Sequence, residues 1–153
     1  MRRAVGDDLI IGCRMGCNEP DLDTSIEKAR ILEATGIDLL HVSSGLAFVD
    51  EGLKVPNGFN YSWIVYGGTE TEKHVHAPAI VVNGIRTPEQ ATCPIEQGLT
   101  DLVAVGTGQL QDPEWARKAR EHPSMHQSAF STFSTTVISR CLFGAYYRYD
   151  SYG

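Results

Sequence analysis

The sequence predicts an α/β protein built from four consecutive β-α units, and three observations carry that prediction. Four short apolar runs lack polar alternation, the pattern of strands in a parallel sheet covered on both faces. The segments between them carry helix start and stop signals. The strands, starting near 9, 38, 79 and 102, lie 29, 41 and 23 residues apart, steps that suit β-α units with right-handed crossovers.

The first strand is Leu9-Ile10-Ile11-Gly12-Cys13-Arg14-Met15. A helix over 24–35 follows, with a Thr24-Ser25 cap, Ile26, Ala29 and Leu32 at helical spacing, and a stop at Gly36. Asp38-Leu39-Leu40-His41-Val42-Ser43 is the second strand. The segment Tyr61–Val75 reads as the next helix, weakened by Gly67-Gly68. Ala79-Ile80-Val81-Val82-Asn83 is the third strand, and Thr87-Pro88-Glu89-Gln90 then has a capping-box pattern with proline in the first turn. That helix ends at Gly98 and contains Pro94, which costs on the order of 3 kcal/mol unless the helix kinks or stops there. Leu102-Val103-Ala104-Val105 is the fourth strand, and Asp112-Pro113-Glu114-Trp115 opens a last helix.

An eightfold β/α barrel needs about 250 residues. Four units in the first part of a 153-residue chain make half of one, or a small open sheet. Residues 1–121 therefore form one unit, and 122–153 are set apart. This last segment joins a Ser/Thr-rich stretch to Phe143, Tyr146, Tyr147, Tyr149 and Tyr152 without a clear period, and is expected to be a loosely packed or disordered tail.

Composition narrows the function. With 42% hydrophobic and 21% charged residues, the chain is an ordinary globular one. Its net charge of −6 argues against a generally basic nucleic-acid-binding surface but leaves room for a local anion site. No apolar run reaches the roughly 18 residues of a membrane span, and the first eight residues hold no signal-peptide core. Four cysteines, at 13, 17, 93 and 141, are too few for a disulfide scaffold, so the expected compartment is the cytoplasm.

Two groups of residues stand where chemistry is placed in β/α folds. Alternation sets Ile10, Gly12 and Arg14 on one face of the first strand, with Arg14 at its C-terminal end. A guanidinium there needs an anionic or carbonyl-rich partner, either a ligand or a structural carboxylate such as Asp38 or Asp50. Asn83-Gly84 and Gly106-Thr107-Gly108 each follow an apolar strand and precede a helix, so their backbones can approach a phosphate closely. Ser43-Ser44-Gly45 either lines the same mouth or makes a tight turn. His41, His74 and His76 show no metal-site spacing, Cys13 and Cys17 do not form a CxxC pair, and no nucleophile sits in a recognisable elbow.

These blocks together resemble the Old Yellow Enzyme family of NADH:flavin oxidoreductases. The resemblance rests on Ile11-Gly12-Cys13-Arg14-Met15, on Gly36 through Gly45, on Val82 through Ala91, and on Asp101 through Gly106 followed by Asp112-Pro113-Glu114-Trp115. It covers about residues 2–121 and implies the last four strands, the C-terminal half, of an FMN-binding TIM barrel. By the same resemblance Arg14 faces the flavin pyrimidine edge, and Gly84 and Gly106 hold the FMN phosphate, flanked by Asn83 and Thr107. The implied chemistry is hydride transfer from NAD(P)H through FMN to a small activated alkene.

The departures are specific. Relatives place a basic residue after the glycine at 106, where this chain has Thr107, a hydroxyl without charge. Only Cys141 follows the barrel segment, so no iron–sulfur cluster is expected. The proton-donating tyrosine and the substrate-anchoring His/Asn pair of the family belong to the other half of the barrel, so no catalytic residue is assigned. The expected partner is that missing half or a second copy, since a half barrel exposes edges and an inner face. The alternatives are a truncated or degenerate non-catalytic copy, or a phosphate-binding β/α protein of another family.

Overall fold

The computed structural model describes residues 2–44 and 53–121. The Ser/Thr-rich and aromatic segment 122–153, Cys141, Gly45 and Asp50 lie outside the described residues. The architecture is α/β, with strands β1 (Gly12–Gly16), β2 (Leu39–Ser43), β3 (Ala79–Val82) and β4 (Leu102–Ala104). They form one parallel sheet in the order β1-β2-β3-β4, with Arg14 opposite His41, His41 opposite Ile80 and Ile80 opposite Leu102. The helices are α1 (Arg2–Val5), α2 (Leu22–Ala34), α3 (Trp63–Glu72), α4 (Pro88–Glu96), α5 (Thr107–Gln111) and α6 (Trp115–Glu121). No helix among the described residues is long and apolar enough to cross a membrane.

Local chemistry explains most element ends. The box at Thr87 forms in full: Gln90 N–H donates to Thr87 Oγ1 at 3.3 Å, and Gln90 Oε1 accepts from Thr87 N–H at 3.2 Å. Pro94 is buried inside α4, which stops two residues later at Glu96, so little helix is left for the proline to disrupt. Gly36 at φ 91° turns the chain out of α2.

The start of α2 corrects the sequence expectation. Its cap is Asp21, whose carboxylate accepts from Thr24 N–H at 2.7 Å, and not Thr24-Ser25. Ser25 is instead buried, donating to Asp21 O at 2.9 Å and accepting from Glu19 N–H at 3.1 Å. Aspartate and serine cap about equally well, and with Asp21 in that place the Ser25 hydroxyl is free to pin the preceding loop.

The described helices pack on one face of the sheet, as expected of a half barrel, although near-continuous apolar strands taken alone suggest cover on both faces. On that face Cys13 and Met15 pack with Leu40, Val42, Ala29 and Cys17, while Val81 and Val103 pack with Val65, Ile85 and Ala91. Gly12, Arg14, Leu39, His41, Ile80, Val82, Leu102 and Ala104 alternate to the other face, where Ile80, Val82, Leu102 and Ala104 are half-buried. Winding each unit onto the next in one direction keeps every crossover on the same side. β3 and β4 are apolar on both faces, and the described helices cover one of those faces.

Gly67 and Gly68 set how closely α3 approaches. A Cβ at Gly67 would stand 2.7 Å from Cys17 Cβ, and one at Gly68 would stand 2.6 Å from Val81 Cγ1. The glycines that weaken α3 as an isolated helix are thus what allow it to seat on the sheet.

The N-terminal edge of the sheet is tied by side chains to backbone. Asp38 accepts from Ile11 N–H at 2.7 Å and pairs with Arg2, and both hold its carboxyl below the usual carboxylate range. Glu33 accepts from the N–H groups of His76 and Ala77, each at 2.6 Å, so α2 grips the entry to β3, and its carboxyl too is held low. Thr100 Oγ1 shares its hydrogen between Ala79 O at 3.0 Å and Leu102 O at 3.1 Å. Beside it, burial first and the Asp101 charge second push the Glu72 carboxyl up to about 7.

Two outcomes follow. Gly67→Ala should destabilise the fold by about 1–3 kcal/mol through overpacking against Cys17, set against less than about 1 kcal/mol of helix propensity gained; urea midpoints measure the difference. In the folded state Glu72 keeps a proton that the unfolded chain, at the ordinary value of 4.5, has released. The stability it contributes is therefore full below 4.5, declines as pH rises toward about 7, and stays low above. Glu72→Gln should flatten that decline, and unfolding curves at about pH 5 and about pH 8 that keep the wild-type slope would refute the assignment.

Candidate functional site

A parallel sheet brings the C-terminal ends of all its strands to one edge, so residues far apart in sequence meet there. At the β1–β2 end, Arg14 projects on the face away from the helices. Its Nη2 and Nε donate to Ser43 Oγ at 2.8 and 3.2 Å. A cavity of about 320 Å³ opens beside it, lined by Arg14, Met15, Gly16, Glu19 and Ser43. The structural pairing of Arg14 with Asp38 does not form, because Asp38 is held by Arg2 and the Ile11 amide. Asp50, the other candidate, lies outside the described residues.

His41 stands opposite Arg14 in the sheet register. Burial first, then the Arg14 charge, lower its tendency to take a proton, so the imidazole is neutral at neutral pH. Its Nε2 is sealed from solvent without a hydrogen-bond partner among the described residues. Arg14 therefore has no second cation opposite it. His76 lies elsewhere, fully exposed with Glu33 3.7 Å away. Cys17 is buried, which pushes its thiol up to about 11 and makes it a packing residue.

At the β3–β4 end a second cavity of about 240 Å³ is lined by Asn83, Gly84, Ile85, Arg86, Gly106 and Thr107, among others. Four of the five residues singled out from the sequence thus meet in one place, and Arg14 occupies the neighbouring cavity on the same edge. The two glycines there have different causes. Gly84 follows Asn83, and both adopt left-handed backbone at φ 77° and 101°, a turn that glycine and asparagine make with least strain. Gly106 has an ordinary φ of −95°, and a Cβ there would meet no atom within 4 Å. Neither strain nor internal packing requires glycine at 106; bare backbone facing open space is what a closely approaching ligand needs.

Gln90 Oε1 takes the N–H groups of Arg86 at 2.9 Å and Thr87 at 3.2 Å. Backbone donors to a ligand must then come from the Asn83–Ile85 turn and from the start of α5. Two residues here were not singled out from the sequence. Arg86 lines the cavity, and Trp115 Nε1 donates to Arg86 O at 2.6 Å. Gly108 makes room for that bond, since a Cβ there would stand 2.8 Å from Arg86 O. The readable signal was a cation two residues past Gly84; Trp115 gives none, because it also reads as a helix-packing residue.

No protein-family model matches the chain. Among curated proteins the chain is similar to an NADH oxidase of Thermoanaerobacter brockii, 39% identical over 126 residues that cover 79% of this chain and 19% of that protein. An NADH:acrylate oxidoreductase of Vibrio harveyi is 31% identical over 117 residues, 73% of this chain and 12% of the relative. A bilirubin reductase of Mediterraneibacter gnavus is 28% identical over 99 residues, 63% and 15%. The chain spans less than one fifth of the length of these relatives, all oxidoreductases by name. Among solved structures, wild-type GGGPS from Thermoplasma volcanium matches with a TM-score of 0.50 and 14% identity, covering 86% of this chain and 53% of the other. That likeness shows a TIM-barrel-like fold and nothing about chemistry.

The Ser43 hydroxyl is the acceptor that orients Arg14. Ser43→Ala should leave the fold intact and speed hydrogen exchange at Arg14 Nε–H by about tenfold, the worth of one hydrogen bond to a charged group. Unchanged exchange by NMR would show that the pairing does not hold the guanidinium in solution.

Proposed function

We propose that the chain is the cofactor-side part of an FMN-binding oxidoreductase of the NADH:flavin oxidoreductase family. On this reading residues 1–121 are the C-terminal half of its β/α barrel. The observation that carries it is the placing of Arg14 in one cavity, and of Asn83, Gly84, Gly106 and Thr107 in another, on the same strand edge. Adjacent strands are about 4.8 Å apart, so β1 and β4 are separated by roughly 14 Å. A long ligand with a polar ring at one end and a phosphate at the other suits that span. The names of the relatives support a redox role, two of them with NADH.

The residues divide the work. Arg14, oriented by Ser43 and facing a neutral His41, offers positive charge to the electron-rich edge of a ring. The bare backbone at Gly106, the Asn83–Gly84 turn and the Thr107 hydroxyl offer hydrogen-bond donors to phosphate oxygens. Bound there, FMN would supply hydride transfer from NAD(P)H to a small activated alkene. No acid or base for the substrate is assigned among these residues. The substrate side belongs to segments that would cover the open face and pair with β1 and β4, in a longer protein or a second copy. A phosphate-binding protein of another family would use the Gly106 cavity equally well, but it gives Arg14 no task.

The test is retention of cofactor. The purified chain, incubated with excess FMN and desalted, should keep a flavin spectrum with quenched fluorescence, and Arg14→Ala should reduce retention at least about tenfold. A chain that emerges colourless does not bind the cofactor, and the reading fails.

A further inference from the structure

The cavity at the β3–β4 end accounts for hydrogen bonds to a phosphate but leaves its charge unmet by the residues considered so far. A phosphate monoester carries roughly −1.5 to −2 at neutral pH, and this chain already carries −6. Thr107 contributes a hydroxyl and Gly106 only backbone. Arg86 is the one cationic side chain among the described residues lining the cavity. Its guanidinium is exposed and makes no hydrogen bond or ion pair among the described residues. The acidic groups of the neighbouring α6 region are engaged elsewhere, Asp112 with Lys118 at 2.6 Å and Glu114 with Arg117 at 2.6 Å.

The backbone of Arg86, by contrast, is fixed from both sides. Gln90 Oε1 accepts its N–H at 2.9 Å, Trp115 Nε1 donates to its carbonyl at 2.6 Å, and Ile85 before it is buried in the core. Three elements thus position a residue whose side chain none of them uses. A long cation on a fixed root beside a backbone cradle is the arrangement that recognises a phosphate.

We propose that Arg86 supplies the charge that binds the phosphate group of a phosphorylated ligand in this cavity, with Trp115 as the positioning residue that fixes its backbone. The inference rests on reading this cavity as the phosphate end of the cofactor site. The same chemistry would serve FMN or another phosphorylated small molecule. Arg86 here does the work that a basic residue directly after Gly106 would do from the adjacent loop.

The full chain and its Arg86→Gln, Arg86→Lys, Trp115→Phe and Arg120→Gln variants are titrated with FMN and with riboflavin, which lacks the phosphate. Inorganic phosphate is added to each separately while the amide NMR signals of Gly84, Gly106 and Thr107 are followed. The wild type should bind FMN at least about tenfold more tightly than riboflavin, and Arg86→Gln should remove that difference without weakening riboflavin. Arg86→Lys should recover part of it, Trp115→Phe should lose part of it, and Arg120→Gln, an exposed cation elsewhere, should match the wild type. FMN affinity unchanged in Arg86→Gln, or riboflavin weakened equally, overturns the assignment. If the wild type takes up neither flavin, the FMN reading fails, and the phosphate titration decides alone. Shifts at the three amides that vanish in Arg86→Gln uphold the anion site. Shifts that persist in the variant, or none in the wild type, overturn it.

Discussion

The constraint on which the rest depends is that each strand lies parallel to, and directly beside, the strand before it. Each β-α unit then turns back in the same sense, so the helices gather on one face and the strand ends on two opposite edges. The core forms only between sheet and helices, and α3 must lie close to fill it. The adjacent glycines at 67 and 68 meet that demand, giving up helix propensity for contact with Cys17 and Val81. The other face keeps its apolar side chains and Arg14 without a helical cover among the described residues.

The two edges of the sheet are built differently. At the edge where strands begin, Asp38, Glu33 and Thr100 each bond the backbone of a segment far away in sequence, so the strand starts are fixed in register. Glu72 beside them carries a desolvation penalty of the kind that burial imposes on an acid. At the edge where strands finish, Asn83, Gly84, Gly106 and Thr107 are exposed, with Asn83 and Gly84 in left-handed backbone and Thr107 opening α5. Stability is concentrated at one edge and ligand-accessible backbone at the other, the division that β/α folds generally show.

Charge on the open edge is also divided. Arg14 is held by a neutral hydroxyl and faces an imidazole that burial keeps uncharged, so neither of these two neighbours cancels its positive charge. Arg86, at the other end of the edge, is held by its backbone alone. In an acidic chain, these two cations on one edge are the basis of the proposed anion preference, and net charge alone does not predict it.

The sequence by itself determined the α/β class, the four strands, the Thr87 capping box and the two glycine-bearing strand ends. These depend on local periodicity and on hydrogen bonds between residues three or four apart, which a linear reading contains. It misplaced the cap of α2, because Asp21 and the Thr24-Ser25 pair are equally good caps until Ser25 is buried against Glu19. It also counted Gly67-Gly68 as a weakness, since the surfaces they meet lie on Cys17 and Val81. Only the tertiary structure decided that Asp38 belongs to Arg2 and Arg14 to Ser43, and that Trp115 secures Arg86. Each of those pairings joins residues 29 or more positions apart. Several partners of the right chemistry exist at such distances along the chain, and the packing of the β-α units selects among them.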